Sequence, residues 1–418
     1  MISALLPAQL DATVDRVVAR TPAYDIQTHL FAPGFGGLLR WGINDLLLSH
    51  SLVAEGFRHW ELSPERFWSL DRPTQAELIW TSLFVQSTPL SEAARGVLTV
   101  LHALGIDPRQ RDLPALRQWF AGHRLEGHLL RVMDLAGVRT ICTTASPFEE
   151  TERAGWEGGA GSRDPRFTAA LRIDALLFDW PRARAALAAQ GYSVAEAPDE
   201  RTCAEVRRFL LAWTRQTHAL YLLAWLPPRF AYPGGDTAAR LLDGAVLPHC
   251  REHNLPLALM PGVRRALNPS LRAAGDGVGQ TDLSACTDLL AAAPQHKFLL
   301  TALARESQHE LCVLARKFRH VHLFGCWWFT NVPSMIEEIT QLRVELLGLS
   351  FTAQHSSARV LEQLIYRWRH ARQIVAAVLR GKYHDLAATG WTISEAEIER
   401  DVRALFGGAF EAFLHRSL

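Results

Sequence analysis

Polar residues that close apolar runs are where this chain could do chemistry. Gln27 and His29 end the run YDIQTHL (24–30), and Arg172 and Asp174 end FTAALRID (167–174). Trp327 and Trp328 lie in HVHLFGCWWF (320–329), and Gln354-His355-Ser356-Ser357-Ala358-Arg359 follows LLGLSF (346–351). A guanidinium group presents a planar fork of donors that matches a carboxylate, which suits Arg172 and Arg359 to hold one. The imidazoles of His29, His50 and His355 suit proton transfer, or ligation of zinc, copper or iron. A lone His more often satisfies a core hydrogen bond, and paired tryptophans more often fill a core. Several such groups at one rim point instead to a site.

The elements that must position these groups are short apolar runs separated by stretches of helical periodicity. Besides those above they are RTICTTA (139–145), ALYLLAWL (219–226), PLALM (256–260) and KFLLTAL (297–303). Runs apolar nearly throughout fit strands buried on both faces. Eight of them alternating with helices predict an α/β fold, a (β/α)8 TIM barrel, with a doubly wound open sheet as the alternative. Barrel enzymes keep their sites at the C-terminal ends of the strands, where these polar groups fall.

The spacing divides the chain into four parts. Residues 1–37 hold an N-terminal helix and the first strand, 38–130 a helical insertion above the barrel, 131–380 the rest of the barrel and 381–418 a C-terminal helical extension. Within the insertion, Ser91 and Asp112 are expected N-caps. Later, Leu361, Leu364, Ile365, Trp368, Val375 and Val378 form one apolar helix face with Gly381 as its expected C′ residue, and Ser394-x-x-Glu397 is a capping box. The Gly-rich segments 155–165 and 273–282 follow strands, as active-site loops do.

Two motifs point elsewhere. HCREH (249–253) matches a zinc-protease pattern but lies on the helix before a strand, away from the functional rim. GDGVG (275–279) neither follows directly on a strand nor opens a clear helix, as dinucleotide binding needs.

The 418 residues carry a net charge of +1 and no basic stripe, so nucleic acid is not an expected partner. No apolar run approaches the roughly 18–20 residues that span a bilayer, and no signal peptide is evident. Six cysteines without CxxC spacing fit buried thiols in a reducing cytoplasm.

The segments YDIQTHLFAP, LLRWGINDLLLSHSLVAEG, RGVLTVLHALGID, LRIDALLFDW, LMPGVRRALNPSLRAAGDGVG, LFGCWWFTN and SSARVLEQLIYRW occur in order over about residues 20–380. With them the chain resembles the uronate isomerase family of the amidohydrolase superfamily. The resemblance implies a (β/α)8 barrel with a helical insertion after the first strand, and interconversion of hexuronates with their keto isomers. It implies a metal His-x-His that falls on Gln27 and His29, and a base-type Asp that falls on Ser357. A His-Tyr pair falls on His50 and Ser51, and a His common after the fifth strand falls on Met260. The substrate-binding arginines fall on Arg172 and Arg359, and the tryptophan pair on Trp327 and Trp328.

These departures weaken the inherited metal site and remove a proton-transfer group. The first expectation is therefore an enzyme with diverged chemistry on a small carboxylate-bearing molecule, with Gln27, Arg172, Arg359, Trp327 and Trp328 binding substrate and His29, His50 and Arg359 catalytic. Its site either is rebuilt around one divalent transition metal on His29, His50 and His355, or uses no cofactor. The alternatives are a genuine uronate aldose–ketose isomerase and a silent paralogue that binds a ligand or partners an active homologue. Homo-oligomerisation is compatible with each.

Overall fold

In the computed structural model, which describes residues 5–161 and 164–418, seven strands form one parallel sheet. In chain order the strands are β1 (Ala23–Thr28), β2 (Val138–Ala145), β3 (Phe167–Arg172), β4 (Ala219–Leu226), β5 (Leu257–Pro261), the short antiparallel pair β6 (Val263–Arg264) and β7 (Gly277–Val278), β8 (Phe298–Leu300) and β9 (Val321–Leu323). The sheet order is β1-β2-β3-β4-β5-β8-β9, with β6 and β7 forming their own hairpin. Both faces are buried, which explains runs such as ALYLLAWL in which nearly every residue is apolar. The sheet is curled, because Ile26, Cys142, Ala170, Leu223, Ala258 and Leu299 from its different strands pack into one cluster on its inner face. Phe410 and Phe413 of the last helix join that cluster, with Phe410 edge-on to Tyr24 and Tyr221.

The eighth strand expected over 346–351 is not there. Leu346 and Leu347 end the helix Pro333–Leu347, and Gly348, at φ 63°, turns the chain. A single parallel bridge joins Phe324 to Thr352 instead. Farther along, the Ser357 N–H donates to the Gln27 carbonyl (3.1 Å) and the His29 N–H to the Ala358 carbonyl (2.8 Å). The apolar residues Leu346 and Leu347 served a helix face, and the extended run lies several residues later.

Between β1 and β2 the chain is helical, from Ile43–Leu47 to Leu125–Ala136. Ser91 and Asp112 cap their helices as expected, accepting from the N–H groups of Ala94 (3.2 Å) and Ala115 (2.9 Å). This region is tied to the hairpin loop by Trp68, whose Nε1 donates to the Ser270 carbonyl (2.8 Å). It is tied to the segment after residue 359 by a buried pair, His128 Nε2 to Glu362 Oε1 (2.8 Å).

Gly381 does not end its helix, which runs over Gln363–Ala388. Tyr383 is buried, and its hydroxyl donates to Asp401 (2.9 Å), so packing carries the helix past the glycine. Ser394 and Glu397 form the expected capping box. Among the described residues no helix is long and apolar enough to cross a membrane.

Candidate active site

The polar groups at the strand ends surround two adjoining chambers. The outer one, about 560 Å³, is lined by His50, Arg172, Asp174, Trp225, Arg265, Asp276 and Arg359 among others. The inner one, about 60 Å³, is lined by His29, His50, Trp225, Trp327, Trp328, Ser357 and Arg359 among others. His50, Trp225 and Arg359 belong to both.

Arg172 ends β3 and is fixed from two sides. Its Nε donates to Asp174, and its guanidinium carbon lies 4.1 Å from the centre of the Trp225 ring. Asp174 in turn accepts from the Trp225 N–H (2.7 Å), which ties the end of β3 to the end of β4. Arg265, in the loop between β6 and β7, also lies against Trp225 (4.3 Å) and pairs with Asp276. Two cations on one indole are well placed for cation–π attraction, and the ring holds both at the cavity wall.

Arg359 stands apart, because among the described residues no carboxylate pairs with its guanidinium; its backbone N–H donates to Gln363 (2.8 Å). Burial, and then the neighbouring charges of Arg172, Arg265 and Arg40, push it down to about 10. An uncompensated cation of this kind is a ready anion site.

His29 ends the first run with its Nδ1 3.0 Å from the Thr144 hydroxyl and its ring edge-on to Trp225 (5.8 Å). Burial, followed by the charge of Arg359, lowers it well below the ordinary imidazole range. The same causes hold His50 down, to about 3. Both rings are therefore neutral at pH 7. Trp327 is buried and tilted against Trp225 (5.7 Å), while Trp328 stacks on the half-exposed Phe329 (4.9 Å). Ser357 has φ 51°, a left-handed backbone that a non-glycine residue adopts at some cost.

Two of the expected site residues do not reach these chambers. Gln27 is fully buried, lines neither chamber, and has no hydrogen-bond partner at Oε1 or Nε2. His355 is likewise fully buried, lines neither chamber and lacks a partner on both nitrogens. Its ring packs on Phe324 (5.4 Å) and so close to Gly325 that a Cβ there would lie 1.9 Å from it.

Among the described residues no three His, Cys, Asp or Glu side chains come together as a metal-holding group, and the expected set of His29, His50 and His355 is not one. Ser357 and Gln27 add only neutral oxygen donors. The donor set therefore does not fit a divalent transition metal.

Sequence reading missed Trp225, Arg265 and Asp276. The alternation of inward residues along ALYLLAWL marks Trp225, but nothing local marks the pairing of Arg265 with Asp276 across the hairpin. Glu152 was also missed. Its Oε2 accepts from the N–H of Ser146, a residue of the outer chamber (2.8 Å), and burial raises it to about 7 despite nearby Arg172 and Arg359.

No family model and no curated protein matches the chain. Solved structures do. A uronate isomerase from Bacillus halodurans is 44% identical over 99% of this chain and 98% of its own, with a TM-score of 0.97. A uronate isomerase from Thermotoga maritima (14% identity, 99% and 98% covered, TM-score 0.75) and a glucuronate isomerase from Caulobacter crescentus (16%, 97% and 94%, 0.73) share the fold. At 44% identity over nearly the full length of both chains, this chain belongs to the uronate isomerase family.

Proposed function

We propose that the protein is an isomerase of the uronate type that acts on a small sugar acid held by its carboxylate between Arg172 and Arg359. The observation that carries this reading is that Arg359, without a carboxylate partner, faces the same cavity as Arg172. Asp174 fixes Arg172 through Nε, which leaves the outer edge of that guanidinium for a ligand. Trp225 and Trp327 form the apolar wall, and the neutral imidazoles of His29 and His50 offer hydrogen bonds to sugar hydroxyls. The segment 352–358 acts as the eighth stave of a closed barrel, a reading supported by its hydrogen bonds to Gln27 and His29.

Aldose–ketose isomerisation moves a proton between adjacent carbons and needs a base. Ser357 does not supply one. Glu152 lines neither chamber itself, but it accepts from the backbone N–H of Ser146, which lines the outer one, and with its pKa raised to about 7 it is the candidate carboxylate to take a proton near neutrality. Ser357, Ser51 and the buried Gln27 favour a second reading, diverged chemistry on the same carboxylate-bearing substrate. The test is to incubate the protein with glucuronate and galacturonate in deuterated water and follow both sugars by NMR. Keto product with deuterium at the carbon next to the carbonyl supports isomerisation. Arg172-dependent binding without turnover selects the second reading, and absence of both binding and turnover refutes the pair.

A further inference from the structure

The two chambers differ in charge balance. Among the residues lining the outer chamber, Arg172, Arg182, Arg265 and Arg359 face four carboxylates, Glu149, Asp174, Asp179 and Asp276. The first three arginines are each engaged, by Asp174, Glu149 and Asp276 respectively. The inner chamber is lined by four arginines as well, Arg40, Arg72, Arg359 and Arg367, but by a single carboxylate, Asp45. Arg72 already pairs with Asp45. Arg40 and Arg367 have no carboxylate partner among the described residues; Arg367 donates to the carbonyl of Asn331. Around them stand the hydroxyls of Ser49, Ser51 and Ser357, with no cation-compensating group among them.

A substrate with one carboxylate, bridging Arg172 and Arg359 at the junction, leaves the inner cations uncompensated. Arg40 is open to solvent, but Arg359 and Arg367 are only partly so, and their like charges at one chamber favour a second anion there. The geometry points to a second anion subsite in the inner chamber, formed by Arg40, Arg367 and the serine hydroxyls, so that the substrate is a small sugar acid with a second anionic group. At about 60 Å³ against about 560 Å³ the inner chamber is the narrower of the two, which suits it to a terminal group with the body of the sugar in the outer one. Guanidinium and hydroxyl donors recognise oxyanions generally, so a carboxylate and a phosphate monoester both satisfy this chemistry. This inference rests on the proposed carboxylate clamp of Arg172 and Arg359.

Titration calorimetry on the full chain tests it, with glucuronate as monoanion, galactarate as dicarboxylate and 6-phosphogluconate as phosphate ester. At least one dianion should bind about tenfold or more tighter than glucuronate, equivalent to about 1.4 kcal/mol. A gain for galactarate alone assigns a carboxylate to the subsite, and a gain for 6-phosphogluconate alone assigns a phosphate. Arg40→Gln, at an exposed position, and Arg367→Gln should each bring the dianion's affinity towards that of glucuronate. Equal affinities for all three ligands, or a preference that survives both substitutions, overturns the second subsite. Binding of glucuronate that depends on Arg172 leaves the clamp intact in that case, whereas failure of every ligand to bind overturns the clamp as well.

Discussion

Replacing Arg359 by Met should stabilise the unliganded protein while removing its grip on sugar acids. Methionine keeps an unbranched apolar stem of similar path and deletes only the charge. In the folded protein Arg359 is pushed down to about 10, first by burial and then by Arg172, Arg265 and Arg40. That is about two and a half pH units below an unperturbed guanidinium, or about 3 kcal/mol at 1.36 kcal/mol per unit. Because the side chain is partly open to the cavity, solvent screening reduces this to about 1–2 kcal/mol. The sign follows from linkage. At pH 7 the group is charged both folded and unfolded, so the folded state bears the whole cost, which fades only as pH rises through about 10. Arg359→Met should therefore unfold at higher denaturant concentration than the parent at neutral pH, with an unchanged m-value. Each charge-assisted hydrogen bond contributes about 1.5–3 kcal/mol, so affinity for a carboxylate ligand should fall by about 10–100-fold. Calorimetry and denaturant melts on the same samples read both effects. A variant that is less stable than the parent and still binds the same ligand would refute the assignment of Arg359 as an uncompensated anion site.

Two further outcomes follow from the same geometry. Glu152, raised to about 7 by burial, is protonated below that pH and negative above it. Its ionised form opposes an anion at Arg172 and Arg359, so ligand affinity should weaken several-fold as pH rises from 6 to 8; Glu152→Gln should flatten this profile, and an unaltered profile in the variant would remove Glu152 from the site. Because His29, His50 and His355 form no metal-holding group, protein purified without added metal should contain no stoichiometric transition metal, and His29→Ala should leave the metal content as it was. A full equivalent that disappears in the variant, measured by mass spectrometry, would show that His29 is a ligand.

The share of this protein that its sequence determined is the share set by short-range physics. Runs such as ALYLLAWL read as buried strands because both faces of the sheet are covered, and Ser91, Asp112 and Ser394 read as caps because each needs only a backbone N–H three residues away. The presence of Arg172 beside the cavity was legible because it closes β3, and Arg359 reaches the same cavity although the strand expected before it was placed too early.

What the sequence misplaced was the eighth strand and the end of the long helix. Leu346 and Leu347 are apolar whether they serve a strand or a helix, and Gly381 stays helical because Tyr383 is anchored by Asp401. Tertiary structure alone decided that Gln27 and His355 are buried and line neither chamber, that Arg172 and Arg265 share the Trp225 ring, and that the inner chamber keeps its positive charge while the outer one is balanced. Those features are pairings between side chains far apart in the chain. The curl of the sheet and the path of the hairpin loop set them, and no local periodicity encodes either distance.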